Sequence, residues 1–234
     1  MKTILSATLI LMSALFCHAQ RVSIIPRAGV SIHTFAKDTY YDYIPKNGTS
    51  FAGGIAASIR LSKKGILAIQ PEVLFLIKGA KLIDTPLDGL VTADDAYRLK
   101  YLEMPLLLKL SSNPGEGKSI FFINAGPSFG ICLEGTFEVF DRNNQLDLDK
   151  YEMDITFDYH DDRRSSKAYL NRRSDVSLQL GGGWSYPLGP VNVIVEVRYG
   201  HGLREFRNDD LRPGARMANR FWLFSAGVQI PGSR

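Results

Sequence analysis

The sequence predicts an all-β fold, an eight-stranded antiparallel up-and-down transmembrane β-barrel. Three observations predict it. Apolar and polar residues alternate with a period of two along eight segments of the chain. The connections between these segments are alternately short and long, as in barrels that span a membrane. The chain also begins with a segment that has the anatomy of a secretory signal peptide.

Residues 1–19 form the predicted signal peptide. Lys2 supplies the charged start, Ile4 to Phe16 form the apolar run, and Ala19 closes a small-residue cleavage site. We therefore expect two parts, a signal peptide over 1–19 and a barrel domain over 20–234. Acylation of Cys17 is the alternative, and it is disfavoured because the bulky Phe16 precedes that cysteine.

Cysteine usage and hydropathy reduce the number of possible folds further. After cleavage only Cys132 is left, so no intramolecular disulfide can form. No later segment approaches the ~18 consecutive apolar residues of a transmembrane helix. A membrane-spanning form of this chain would therefore be a barrel.

The predicted strands follow from the alternation, which is clearest in Val191–Tyr199. There the odd-numbered residues are four valines and a tyrosine, whereas the even-numbered residues include Glu196 and Arg198. Ser177–Tyr186 and the last strand repeat the pattern. In chain order the predicted strands are about 21–32, 50–61, 66–79, 97–110, 118–132, 177–186, 191–199 and 222–230.

The connections differ in length from one end of the barrel to the other. Short turns follow the second, fourth and sixth strands, at Ser62–Gly65, Ser111–Gly117 and Leu188–Pro190. Long polar loops follow the first, third, fifth and seventh strands, near 33–49, 80–96, 133–173 and 203–217. This asymmetry places both termini at the short-turn end, which is the periplasmic end in outer-membrane barrels.

Residue size predicts which face points outward. The less apolar face is rich in small residues, which suits the crowded interior of an eight-stranded barrel. The alternative is a soluble exported lipocalin-like binder, whose apolar face would point inward. The small residues are Gly54, Ala56, Ser58, Gly126, Ser128, Gly130, Gly181 and Gly183.

Several short segments resemble one bacterial family. Gln70–Phe75 with Lys78-Gly79 is similar to the third strand of the PorT-like outer-membrane β-barrel family of Bacteroidetes-type bacteria, and Leu99–Lys109 is similar to its fourth strand. Further matches are Asn124–Pro127, Glu196–Tyr199, Gly202-Leu203 and Asn219-Arg220. The resemblance implies an outer-membrane barrel, and a relative of this family is associated with protein secretion. Members of such families usually end near an aromatic residue after the last strand, whereas here Ile230 is followed by Pro231–Arg234.

Five charged residues fall on the inward face: Glu72, Glu103, Lys109, Glu196 and Arg198. A paired-carboxylate site is one interpretation. A structural salt-bridge network is the favoured one, because buried charges persist when they are paired. Eight strands leave room only for their own side chains, so we also expect a filled lumen that conducts ions poorly.

The sequence predicts no enzyme. Some small outer-membrane barrels hydrolyse lipids with a Ser-His-acid set, so His33, His160 and His201 are the residues to inspect. No serine or acid has a diagnostic spacing from them. A lipid-modifying enzyme is therefore kept only as an alternative.

The loop after the fifth strand is the candidate interaction surface, since it is long and separates acidic from basic blocks. The acidic block lacks the turn glycine and ligand spacing of a calcium loop, so we expect no metal or cofactor. Candidate contact residues in it are Phe137, Phe140, Asp147, Asp149, Tyr151 and Tyr159.

The expected partners follow from location and charge. A formal net charge of +4 from 28 basic and 24 acidic residues is too small an excess to indicate nucleic-acid binding. We expect an outer-membrane location, contact with lipid and lipopolysaccharide, handling by the barrel assembly machinery, and an envelope or secretion protein as partner.

Overall fold

The computed structural model describes residues 22–36, 44–62, 65–83, 93–112, 119–141, 151–157, 168–169, 172–207 and 217–232. The predicted signal peptide, and Asp147, Asp149 and Tyr159 of the predicted interaction loop, lie outside these residues. Within them no helix is long and apolar enough to cross a membrane.

The fold is a closed antiparallel barrel of eight long strands. The barrel closes where the first strand pairs with the last, Ile24 opposite Ile230 and Phe35 opposite Asn219. The predicted fold class is therefore confirmed. The strands in chain order are β1 (Val22–Phe35), β2 (Ile44–Lys46), β3 (Gly48–Arg60), β4 (Leu67–Ile83), β5 (Ala93–Ser111), β6 (Ile120–Asp141), β7 (Tyr151–Thr156), β8 (Ala168–Tyr169), β9 (Ser174–Leu188), β10 (Val191–Arg207) and β11 (Met217–Pro231).

Three short strands lie outside the barrel circuit, at the long-loop end. β2 pairs with the end of β4, and β7 pairs with the end of β6 above the point where β9 begins. β8 pairs with β7 in parallel. One side of the barrel wall is thus taller than the other.

The apolar face points outward. On β10, Val195 and Val197 are exposed while Glu196 and Arg198 are 1 % exposed. This arrangement is the reverse of a lipocalin, because the outer surface is apolar and the interior is charged. Aromatic side chains cluster on the outer face at two heights, Phe121 with Trp184 and Tyr186 near the short turns, and Tyr199 with Trp222 nearer the long loops.

The predicted bounds of several strands were wrong at the long-loop end. β4 continues to Ile83 rather than ending near 79, β10 continues to Arg207 rather than ending near 199, and β11 begins at Met217 rather than near 222. β5 begins at Ala93 rather than near 97, and β6 continues to Asp141 rather than ending near 132. The two strands pair from Ala93 opposite Asp141 down to Ser111 opposite Phe122, with one bulge at Lys100/Tyr101. Polar residues end the alternating pattern at the long-loop ends of β5 and β6. The backbone hydrogen bonds between the two strands continue there, because both strands are long.

Candidate functional site

Arg198 occupies the centre of a buried ion-pair cluster in the lower lumen, nearer the short turns. Its guanidinium donates to both carboxylate oxygens of Glu72, at 2.8 and 2.9 Å. Its Nε and Nη2 donate to Glu196 Oε1, at 2.8 and 2.5 Å. Arg27 Nη1 approaches Glu196 Oε2 at 2.9 Å and Glu72 Oε1 at 3.3 Å. Each carboxylate is therefore shared by two guanidinium groups.

Amide side chains fill hydrogen-bonding positions that the two arginines leave open. Asn124 Nδ2 donates to Glu196 Oε1 at 3.0 Å, and Gln70 Nε2 donates to Glu72 Oε1 at 2.6 Å. Buried carboxylates are stable only when such partners replace water. The arrangement fixes both acids in place and leaves no oxygen pair free to act on a substrate.

A second cluster lies higher in the lumen around Lys78. Its ammonium pairs with Glu103 and with Asp175 Oδ2, the latter at 2.7 Å. Ser128 Oγ donates to Glu103, and Asn219 Nδ2 donates to Asp175 Oδ2 at 2.9 Å. The same ammonium lies over the ring of Tyr101, 4.6 Å from its centroid.

Gln179 joins the two clusters. Its Oε1 accepts from Arg198 Nη1 at 3.1 Å, and its Nε2 donates to Glu103 Oε2 at 3.4 Å. Together the clusters contain three cations, Arg27, Lys78 and Arg198, and four carboxylates, Glu72, Glu103, Asp175 and Glu196. With Lys109, a fourth buried cation, the formal charges of these eight residues sum to zero.

The structure brings together three of the five predicted interior residues, Glu72, Glu196 and Arg198. Glu103 belongs to the upper cluster. Lys109 is buried, and its ammonium lies 3.8 Å from the centroid of the Phe122 ring. Among the described residues Lys109 makes no ion pair.

Sequence reasoning missed three members of the clusters: Arg27, Lys78 and Asp175. The signal for the first two was present, because Lys78 is in the same alternating register as Glu72 on β4 and Arg27 is in the inward register of β1. Asp175 was missed because the predicted strand began at 177, whereas β9 begins at Ser174.

Apolar side chains pack inside the barrel on both sides of the ion pairs. Near the short turns, Ile25, Ala56, Phe122 and Ile194 pack together. Near the long loops lies a larger cluster, formed by Phe35, Ala80, Leu82, Tyr97, Leu99, Tyr101, Cys132 and Ile155. Its position accounts for the burial of Cys132.

His33 is buried, and among the described residues its side chain bonds to the backbone rather than to a serine or an acid. Its Nδ1 donates to the carbonyl oxygen of Gly79 at 2.9 Å. Gly79 has φ +141° and its backbone lies so close to β5 that a Cβ atom would stand 1.9 Å from the Tyr97 carbonyl oxygen. Only glycine fits this conformation, and it presents its carbonyl to the lumen.

The structure describes one of the other two candidate histidines. His201 lies beside the ring of Tyr199, with centroids 6.4 Å apart. His160 lies outside the described residues. The described part of the chain contains no group of three or more His, Cys, Asp or Glu side chains that could hold a metal ion.

The start of the predicted interaction loop belongs to the barrel wall. Phe137 is a β6 residue whose ring packs on Tyr97 with centroids 4.8 Å apart, because residues 136–139 pair with β7 and with β5. Phe140 and Tyr151 are strand residues by their backbone. Phe137 is therefore a packing residue of the wall and was wrongly assigned to the loop.

Arg173 holds this upper wall at the β6 bulge, where Leu133 is the extra residue opposite Lys100 and Tyr101. Its Nε donates to the Cys132 carbonyl at 2.8 Å, and its Nη2 donates to the Leu133 carbonyl at 3.2 Å. The Cys132 amide in turn donates to the Arg173 carbonyl at 2.8 Å. These bonds satisfy the carbonyls at the point where β6 exchanges β9 for β7 as its neighbour.

A closed barrel with an apolar outer surface and an ion-paired interior defines a transmembrane β-barrel protein. The chain belongs to the outer membrane protein beta-barrel domain family, whose model matches residues 18–208. This membership places the protein in the outer membrane. No curated protein matches the sequence.

Three solved structures of outer-membrane barrels are similar to the chain. OprG from Pseudomonas aeruginosa is 13 % identical, with a TM-score of 0.46 over 91 % of this chain and 96 % of that one. Neisserial surface protein A is 12 % identical, with a TM-score of 0.43 over 90 % and 98 %. Ail of Yersinia pestis is 12 % identical, with a TM-score of 0.40 over 90 % and 99 %. Similarity at this level carries no argument about function.

Proposed function

We propose that this protein is an interaction protein of the outer membrane, which holds an envelope protein partner at its long-loop end and does not transport solutes. The observation that carries the proposal is the packing of ion pairs and apolar side chains inside the barrel. Arg198 and Lys78 tie carboxylates from four strands together, and apolar clusters lie above and below these ion pairs. An eight-stranded barrel that is filled in this way has no path for a solute.

The taller side of the wall supports the choice of the long-loop end. β4, β5 and β6 continue past the level of the outward aromatic residues, and β7 extends the sheet beyond them. A paired sheet that rises above the membrane gives a rigid base for loops, and rigidly based loops are where binding residues concentrate. We further propose that the partner is a secretion or envelope component, as the PorT-like resemblance implies.

Site-specific photo-crosslinking in the native cell tests this proposal. A photoreactive residue at the exposed Arg98 on β5 is expected to capture a discrete protein adduct. The same residue at the exposed Arg60, at the short-turn end of β3, is the matched control and should capture none. An Arg98 adduct with lipopolysaccharide alone would overturn the protein partner in favour of a lipid-binding role.

Shortening the loop provides the second test. The segment to replace by a Gly-Ser turn is 142–150, because 136–139 and 151–154 are paired strands of the wall. The shortened protein should fold and retain heat-dependent gel mobility, and it should lose the Arg98 adduct. Large stable conductance of the unmodified protein in planar bilayers would overturn the filled-lumen argument itself.

A further inference from the structure

Four prolines stand inside barrel strands rather than at their ends: Pro26 in β1, Pro71 in β4, Pro105 in β5 and Pro127 in β6. Proline has no backbone N–H and cannot donate to the neighbouring strand. In a sheet such a residue is normally confined to an edge or a bulge, and a closed barrel has no edge. Each of these prolines must therefore interrupt a ladder.

The pairing of the strands shows the interruptions. β3 and β4 pair as far as Ala56 opposite Glu72 and resume at Ile59 opposite Ile69, so the pair Ala57/Pro71 is missing. The pairs Glu72/Pro105, Leu106/Pro127 and Val228/Pro26 are missing from their ladders in the same way. The other four barrel ladders, β1/β3, β6/β9, β9/β10 and β10/β11, are continuous across the apolar band.

A groove of about 310 Å³ lies on the outer surface at the Ala57/Pro71 interruption. Its rim is formed by Ile24, Ile55 and Val73, which are 44–50 % exposed and point away from the lumen. Its floor is formed at Ala57 and Pro71, where a small side chain meets a strand that cannot pair. The break in the ladder and the lack of bulk at Ala57 together produce the depression.

We propose that this groove, the Pro71 groove, binds one hydrocarbon chain of a membrane lipid in the half of the barrel nearer the short turns. The groove opens on the apolar band, where the surroundings are hydrocarbon. The only ionisable residue that reaches its lining is Glu72, and the carboxylate of Glu72 is held inside the lumen by Arg198 and Arg27. A charged headgroup therefore has no partner in the groove, whereas an acyl chain matches its lining.

A single chain fits the groove better than a second barrel does. A stable interface between proteins buries about 1,200 Å² or more of surface, which requires a broad complementary face. The Pro71 groove is confined to the width of β1, β3 and β4. The experiment must therefore distinguish a bound lipid from a second copy of the protein in the groove.

Native mass spectrometry of the full-length protein, extracted from its own membranes in mild detergent, tests the proposal. The protein is expected to retain one phospholipid at activation energies that remove loosely bound lipid. Ala57→Phe should fill the groove and abolish this adduct. Ala226→Phe is the matched control, because Ala226 is an outward alanine on β11 whose ladder pairs with Ala28 and Val195 are intact, and it should leave the adduct unchanged.

Pro71→Ala gives an independent variant that adds no bulk. It restores the N–H opposite the Ala57 carbonyl, so the β3/β4 ladder should close and the lipid adduct should weaken. Heat-dependent gel mobility establishes that all three variants are folded. The proposal is overturned if the unmodified protein retains no lipid or if Ala57→Phe keeps the adduct. It is also overturned if the unmodified protein is a dimer and Ala57→Phe converts it to a monomer.

Discussion

At the residue scale, the energetics of the lower lumen depend on two buried carboxylates that are each shared by two arginines. Glu72 and Glu196 both contact Arg198 and Arg27. Replacing a whole buried network by apolar side chains can be neutral, but removing one partner leaves an uncompensated charge. The interior is therefore stable as a unit and sensitive to single substitutions.

Arg198→Met tests this sensitivity, since methionine keeps much of the volume but removes every donor. We expect the free energy of unfolding to fall by about 3–5 kcal/mol, because Glu72 and Glu196 lose their main partner in a buried site. Urea titration in detergent micelles or lipid vesicles measures it. Lys100→Met is the control, since it breaks the solvent-exposed Lys100–Glu134 pair of 2.6 Å; a loss as large as that of Arg198→Met would contradict the argument.

Gly79 is the second position where one residue decides local structure. Gly79→Ala is expected to destabilise the barrel by about 1–3 kcal/mol from backbone strain alone, and the added Cβ would also meet the Tyr97 carbonyl. Gly189→Asn is the comparison, because Gly189 has φ +62° in an open turn and asparagine tolerates that conformation. If the two variants unfolded at the same urea concentration, the close contact between Gly79 and the Tyr97 carbonyl would not contribute to stability.

At the element scale, alternation predicted the eight strands and the face that each presents, because lipid and lumen impose opposite polarities on successive residues. It did not predict how far β5 and β6 rise above the membrane, since water on the outer side removes the apolar requirement there. It also could not pair Glu72 with Arg27, because β3 lies between β1 and β4 and the two side chains belong to strands that are not neighbours. Such partners depend on how the barrel closes, which a period of two does not encode.

The upper wall is an element whose attachment can be tested separately from the barrel. Arg173→Ala removes the two hydrogen bonds to the β6 bulge, so we expect faster amide hydrogen exchange at Met153 and Ile155 of β7, with no change at Val195 in the barrel. Arg173→Lys should behave almost like alanine, because one ammonium cannot reach both carbonyls as the planar guanidinium does. Arg172→Ala alters the neighbouring exposed side chain and is the control. Unchanged exchange in Arg173→Ala would show that β7 is held by its pairing with β6 alone.

At the scale of the whole molecule, the protein has its charges inside and its apolar surface outside, which is the reverse of a water-soluble fold. Four cations balance the four carboxylates of the ion-pair clusters, while most outward positions of the band are valine, leucine, isoleucine and aromatic residues. The bilayer therefore contributes to the folding free energy, because it removes the apolar outer surface from water. The stability of the barrel should respond to the depth at which a charge is placed on its outer face.

Val195→Arg and Leu203→Arg place the same charge on the same face of β10 at two depths. Val195 lies within the apolar band and is 50 % exposed, whereas Leu203 lies beyond Tyr199 toward the long loops and is 54 % exposed. Arginine is expected to cost about 2–4 kcal/mol near the bilayer midplane and about 0–1 kcal/mol near its boundary. Unfolding titrations in vesicles should therefore separate the two variants, and the difference should shrink in detergent micelles, which adapt to the protein surface. If both variants lost the same free energy in vesicles, Val195 would not face hydrocarbon, and the placement of the membrane around this barrel would be wrong.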